Sequence, residues 1–250
     1  MTLIPDAAVS YRRLLWLLAR CDRNGLDKLT IVADLPDAQQ GAATARPAIA
    51  ALLAAGGAMA GIDATQLVAA ARSQVGVTVG YDPAYRRLPY PGGDVPMETG
   101  VCCDVVVRAL RKQGVDLQRL LHEDMEGHFA EYPKNWGLKA PDPNIDHRRV
   151  PNLACYFRRQ GWRVAATNDA TAYRAGDIVT WDLGNGVAHI GMVSDRQTAT
   201  GIPLVIHNIG RGAKEEDILF NFTITGHYRL KKTAIQESDV AARKAAEPLR

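Results

Sequence analysis

The run Gly100-Val101-Cys102-Cys103-Asp104-Val105-Val106-Val107-Arg108 decides how the chain reads. Val105, Val106, Ala109 and Leu110 recur at helical spacing, so a helix with a buried stripe is expected from about Cys102 to Gln113. Gly114 stops it in the residue position where a left-handed backbone is wanted. Cys102 then sits where the helix begins. First-turn amides have no intrahelical partner and carry the positive end of the helix dipole, and both favour thiolate over thiol. An isolated cysteine is more often an inert core residue. Two later runs change that weighting. Ala188-His189-Ile190-Gly191-Met192-Val193 and Leu204-Val205-Ile206-His207-Asn208 are short apolar segments of β type, each with a histidine. A nearby imidazole completes the activation of a thiol.

Working outward, Ala64 to Gln74 places Leu67, Val68 and Ala71 at helical spacing, with Thr65 as the candidate cap. Between the two helices lies a loop heavy in Tyr, Pro and Gly, from Tyr81-Asp82-Pro83-Ala84-Tyr85 to Tyr90-Pro91-Gly92-Gly93-Asp94-Val95-Pro96. A loop of this length inside a domain is usually functional. Leu117 to His128 reads as a further helix. Tyr132 to Pro151 reads as irregular, because Pro133, Pro141, Pro143 and Pro151 forbid continuous helix. Asn152 to Gln160 reads as a short helix ended by Gly161. Asp177–Trp181, His189–Val193, Leu204–Asn208 and Phe222–Leu230 then read as four strands. Helices first and strands afterwards give an α+β class, N-terminal helices packed on a C-terminal antiparallel sheet.

Residues 1–60 read as an N-terminal extension. Tyr11 to Arg20 is a short helical run. After Arg46-Pro47 the chain turns apolar and Ala-rich up to Ala58-Met59-Ala60. Segment 46–60 has the outline of a secretory h-region and cleavage site, although it starts more than forty residues in. It reads as an export signal with a long leader, or with a true start downstream of Met1, and alternatively as an Ala-rich helix or linker. Residues 61–230 form the expected catalytic domain and 231–250 a charged tail.

Composition narrows the function classes. The net charge is +3 and no basic stripe with interleaved aromatics points to nucleic acid. The four cysteines, Cys21, Cys102, Cys103 and Cys155, are too few for a disulfide framework in 250 residues. Adjacent Cys102 and Cys103 would pair only in a strained ring, and a Cys21–Cys155 bridge has no support. Zinc-type spacing is absent, so neither metal nor cofactor is expected. His122 and His128 read as solvated helix face, His227 as packing or an edge residue. Arg148-Arg149 and Arg158-Arg159 read as solvated surface. In the Pro-bounded loop from Asp142 to Arg149, the alternative is that Arg148 or Arg149 meets a substrate carboxylate bidentately.

The order of these features resembles the NlpC-type cell-wall cysteine peptidases, which have a papain-like fold. Their usual signature is Asp-Cys-Ser-Gly and two hydrophobic residues, then Gly-Asp and a hydrophobic pair, then His-hydrophobic-Gly, then a polar residue on the next strand. Here the corresponding strings are Val101-Cys102-Cys103-Asp104-Val105-Val106, Gly176-Asp177-Ile178-Val179, His189-Ile190-Gly191 and His207. Together with Asn144-Ile145-Asp146-His147-Arg148-Arg149-Val150-Pro151-Asn152 they look like an uncharacterised bacterial branch of that superfamily, over roughly residues 64–230. The resemblance implies Cys102 as nucleophile, His189 as base and His207 as the orienting third residue, with Asn208 as substitute. It implies Tyr81 near the thiol and Cys103 in the position of the signature serine; with Asn208 and, from the loop reading above, Arg148, these make the expected substrate or oxyanion set. It further implies hydrolysis of an amide in the peptide stem of bacterial peptidoglycan, in the periplasm or outside the cell. Val101 and the Cys103-Asp104 pair depart from the signature, and Asp104 reads as structural. Acyl transfer or deamidation on the same fold, an inactive wall-binding module, and a secreted effector met by an immunity or inhibitor protein are the alternatives.

Overall fold

The computed structural model describes residues 62–230. The expected helix Tyr11–Arg20, segment 46–60, Cys21 and the tail 231–250 lie outside the described residues. Among the described residues four α-helices precede the strands: α1 (Ala64–Arg72), α2 (Cys102–Lys112), α3 (Leu117–His128) and α4 (Val150–Arg159). Six strands follow: β1 (Arg163–Val164), β2 (Ile178–Asp182), β3 (Ala188–Gln197), β4 (Pro203–Asn208), β5 (Ala213–Glu216) and β6 (Thr223–Tyr228). They form one antiparallel sheet in the order β1-β6-β2-β3-β4-β5. The α+β class expected from the order of elements holds.

The sheet separates two apolar layers by strand alternation. Ile178, Ile190, Met192 and Ile206 pack with Val106, Leu110, Leu121, Leu153 and Phe157 of the helices. Val179, Trp181, Val193 and Val205 pack on the other side with Tyr173 and Leu219. Helix α2 touches α1, α3, β3 and β4, and it is buried from Cys102 to Leu110. It ends as expected: Gly114 has φ +80, its N–H reaches Arg111 O at 2.9 Å, and the Val115 N–H reaches Leu110 O at 3.0 Å. That paired closure satisfies two of the last carbonyls of the helix.

Several local expectations are corrected. The cap of α1 is Asp63, not Thr65; its Oδ1 accepts from the N–H groups of Thr65 and Gln66 at 2.8 and 3.1 Å. Helix α4 starts at Val150, two residues early, because Pro151 occupies its first turn, where the missing N–H has no partner to lose. Strands β1 and β5 escaped notice: one has two residues, and the other, Ala213-Lys214-Glu215-Glu216, is charged. A charged edge strand blocks further pairing. His227 is not at an edge, since β6 lies between β1 and β2.

Of the four arginines read as surface, only Arg158 is exposed. Arg159 bonds Asp124 at 2.6 Å and also Glu131. Arg149 bonds Asp146 at 3.1 Å and lies 4.2 Å over the Trp136 ring. Arg148 is buried. His128 is half exposed, but the His122 ring packs edge-on against Tyr90 at 5.1 Å.

The long loop between α1 and α2 has no regular structure, so its backbone groups need side-chain partners. Arg108, buried inside α2, donates to the carbonyls of Val95, Pro96 and Thr99 and to Asp94. Gln118 accepts from the Gly93 N–H at 2.8 Å and donates to Pro89 O at 3.0 Å. Asn144 Oδ1 accepts from the Leu88 N–H at 2.9 Å.

Candidate active site

Val101 precedes α2 in extended backbone, with φ −107° and ψ 178°, and carries no polar atom to cap the helix. The cap comes from inside the first turn: Asp104 Oδ2 accepts the Val101 N–H at 2.6 Å. The same carboxylate accepts Arg148 Nε at 3.1 Å and Nη2 at 3.0 Å, in a pair whose side chains are 4% and 2% exposed. Arg148 also donates to Ala84 O at 3.1 Å and Asp82 O at 2.8 Å. It therefore fastens the loop just after Tyr81 to the start of α2. This corrects the role expected for Arg148: the carboxylate its fork meets is Asp104, and no donor pair faces a substrate.

The thiol of Cys102 touches four groups: the Cys103 thiol, the His189 ring, the Ile190 backbone N–H and the Tyr81 hydroxyl. The Cys103 S–H, the imidazole and the Ile190 amide together hold Cys102 well below the usual thiol value, against the opposing effect of burial. Cys103 moves the other way. It is wholly buried beside a thiolate, and both burial and that neighbour push its pKa up. Burial first, and then the Cys102 charge, raise the Tyr81 hydroxyl as well, so Tyr81 stays an O–H donor. One thiol of the vicinal pair is thus poised to ionise and the other to stay protonated.

His189 enters from β3, directly opposite Trp181 of β2. Its Nε2 lies 2.9 Å from His207 Nδ1, with the rings at 81°. The close approach has a backbone cause. A Cβ at Gly191 would stand 2.7 Å from Val205 Cγ1 and 3.1 Å from His207 Cβ. Glycine two residues after His189 lets β4 bring His207 against the His189 ring. Burial, then His189, then Lys214 hold His207 down at about 3, so this ring is neutral. Cys102 is 4% exposed, His189 2% and His207 0%, whereas Tyr81 is 40% exposed.

Asn208 does not face the rings. Its Nδ2 donates to Gly80 O and Gly100 O, each at 3.1 Å, and its Oδ1 accepts the Gly210 N–H at 3.1 Å. It braces β4 against the residues flanking Tyr81 and Cys102, which corrects its expected substrate role. The Asp142–Arg149 residues serve to hold the fold: Asp146 accepts the Asp142 N–H at 2.6 Å, and Asp142 accepts Asn144 Nδ2 at 2.8 Å and the Tyr85 hydroxyl at 3.0 Å. Among the described residues, no group of three or more His, Cys, Asp or Glu side chains is placed to hold a metal ion. A cavity of about 330 Å³, lined by Leu67, Arg174, Asp177, Arg229 and Leu230, lies at the Gly176–Asp177 end of β2, away from His189.

The sequence reading missed Arg108 and the true task of Arg148. A signal existed for the first: an arginine four residues after Asp104 in an otherwise apolar helix has to be buried with partners. Nothing in the sequence paired Arg148 with a residue 44 positions away.

Comparisons with known proteins bear on family. The profile of the domain of unknown function DUF1287 matches residues 68–230. The chain is 62% identical over 159 residues to the uncharacterized protein YijF of Escherichia coli K12, spanning 64% of this chain and 78% of that protein. A solved structure, NlpC1 from Trichomonas vaginalis, aligns over 68% of this chain and 44% of its own, with 15% identity and a TM-score of 0.37; the chain thus spans less than half of that protein's length. The extent of the profile match and the identity to the bacterial relative place this chain in the DUF1287 family.

Proposed function

We propose that the protein is a cysteine hydrolase that cleaves an amide bond. One observation carries the reading: a thiol at a helix start contacts an imidazole whose far nitrogen is bonded to a second, neutral imidazole. In this reading His189 takes the Cys102 proton, and the thiolate attacks an amide carbonyl. In the same reading, first-turn amides of α2 and the Tyr81 hydroxyl supply the donors to the resulting oxyanion. His189 then passes its proton to the departing amine, leaving a thioester on Cys102. Water cleaves the thioester, releasing the acid and restoring the thiol. Tyr81, the exposed member of the group, marks the side from which substrate reaches the sulfur.

The substrate class rests on the resemblance to cell-wall cysteine peptidases: the peptide stem of peptidoglycan, met in the periplasm or outside the cell. The test is digestion of purified peptidoglycan by wild type and by Cys102→Ala, with the fragments weighed. Wild type is expected to release fragments with new free carboxyl termini, and Cys102→Ala none. Equal digestion by both proteins overturns the assignment, and fragments bearing a newly attached amine replace hydrolysis with acyl transfer.

A further inference from the structure

His207 has an unexplained end. Its Nδ1 faces His189 Nε2 at 2.9 Å, while its Nε2 is buried and without a hydrogen-bond partner among the described residues. The tautomers follow from the job of His189. To take a proton from Cys102, the nitrogen facing the sulfur must carry a lone pair. Since Nε2 of His189 is the atom bonded to His207, the nitrogen left for Cys102 is Nδ1, and the ring proton must sit on Nε2. His207 Nδ1 then accepts, and the proton of neutral His207 is forced onto its own Nε2. That places a donor at a buried position, where an unmade hydrogen bond is costly.

One acceptor stands beside it. Glu216 Oε1 lies 3.5 Å from His207 Nε2, and the Glu216 side chain is 39% exposed. Register explains the proximity: His207 pairs with Lys214 and Val205 with Glu216 across β4 and β5, so Glu216 is the diagonal neighbour of His207 on one face. A half-exposed carboxylate can close the remaining few tenths of an ångström by rotamer adjustment. The charged and titratable groups facing His207 are therefore His189 from β3 and Lys214 and Glu216 from β5. Burial, then His189, then Lys214 oppose a second proton on His207, which keeps the ring a neutral connector instead of a charged one.

We infer that Glu216 is a positioning residue: it accepts the Nε2–H of His207 and so fixes, through that ring, the His189 tautomer able to take the Cys102 proton. The inference rests on the thiol reading above and extends its line of groups from three to four, Cys102–His189–His207–Glu216. Glu216 touches no reacting atom.

The test needs no substrate. Alkylation of Cys102 by iodoacetamide, followed by mass spectrometry across pH 4–9, gives the midpoint at which the thiolate appears. Glu216→Ala is expected to move that midpoint up by about 0.5–1 pH unit, a roughly 3–10-fold slower reaction below it, while Glu216→Gln, which keeps a carbonyl acceptor, recovers most of the wild-type profile. A merely structural Glu216 would change thermal stability and leave the midpoint unmoved, and an unmoved midpoint overturns the inference. If Glu216→Ala fails to fold, imidazole ¹⁵N shifts of the wild-type protein decide: a protonated Nε2 and bare Nδ1 on His207 support the inference, and the reverse tautomer sinks it. Failure here is separable from failure of the hydrolase reading. Peptidoglycan digestion by Cys102→Ala would remove the latter and leave the alkylation shift standing.

Discussion

Two buried histidine clusters lie near opposite ends of β2, and they are built on opposite principles. In one, every polar site is filled. His227 Nδ1 faces Ala165 O at 3.2 Å, its Nε2 faces Asp177 Oδ2 at 2.7 Å, and its ring stacks on Tyr173 at 4.3 Å. Asp177 also takes Arg229 through Nε at 2.8 Å and Nη2 at 2.6 Å, and the Arg174 N–H at 2.9 Å. In the other, a thiol faces His189, His189 faces His207, and the last nitrogen, His207 Nε2, stands 3.5 Å from Glu216 Oε1, short of a closed hydrogen bond. Buried polar groups that are all satisfied specify a fold; one left short beside a nucleophile marks a site where chemistry holds the arrangement in place. The Gly176-Asp177 string that helped the resemblance thus belongs to the structural cluster, where it ties the start of β2 to β6.

The sharpest way to break this contrast is to exchange the outcomes. His189→Ala is expected to lower peptidoglycan cleavage by about 10²–10⁴-fold, at a stability cost of about 1–3 kcal/mol from the His207 nitrogen it leaves unpaired. Asp177→Ala is expected to act on the fold instead, costing about 3–5 kcal/mol in urea unfolding while Cys102 keeps its reactivity, because it takes the carboxylate from buried His227 Nε2 and from half-buried Arg229. If Asp177→Ala silences the thiol in a folded protein, the two clusters are not separate.

Next in size is the Arg148–Asp104 pair, which belongs to both fold and site. Arg148→Met strands a buried carboxylate and releases the carbonyls of Asp82 and Ala84. Unfolding free energy should fall by about 3–5 kcal/mol, and the Tyr81 loop should become sensitive to proteolysis. A near-neutral change would mean the pair is not closed in solution.

A smaller effect comes from pH. Burial and then Arg111 hold His147 down at about 4, and His207 is held at about 3. Unfolded histidines bind protons from about pH 6.5 downward while these folded ones do not, so the unfolded state binds more protons and stability falls as pH drops through that window. For His147 the loss from pH 7 to pH 4 is on the order of 3 kcal/mol. His147→Asn should flatten the acid slope of a pH series of denaturation midpoints. The smallest expected effect is Asp63→Ala, about 1 kcal/mol from the lost α1 cap, with alkylation of Cys102 untouched. It serves as the control for the thiol cluster.

How much of this was legible in the chain follows from what each part depends on. Helix α2 was readable to within one residue because its apolar spacing, its start at Cys102 and its stop at Gly114 are local signals. The strands carrying His189 and His207 were readable because β-type runs announce themselves, and the order of elements gave the α+β class. Asp104 was readable as structural from its place in the first turn, though its partners were not. The errors share one cause. Arg148, Asn208 and Arg159 were judged by residue type, yet their partners lie 44, 108 and 35 positions away. Long-range pairing of a charged group leaves no local trace. Pro151 misled for a related reason, since the same residue breaks a helix interior and suits its first turn.

The central claim is that the Cys103 S–H and then His189 hold Cys102 well below an ordinary thiol, with His189 as its proton acceptor. Site-resolved alkylation of the native wild-type protein and of His189→Ala, comparing Cys102 with Cys155 across pH 5–9, tests it most directly. The account predicts that wild-type Cys102 reacts readily at pH 6, that Cys155, whose thiol burial pushes up, does not, and that His189→Ala pushes Cys102 toward an ordinary thiol profile. Reaction of Cys102 only above about pH 8.5, the value of a free thiol, in step with Cys155 and indifferent to His189, would contradict it.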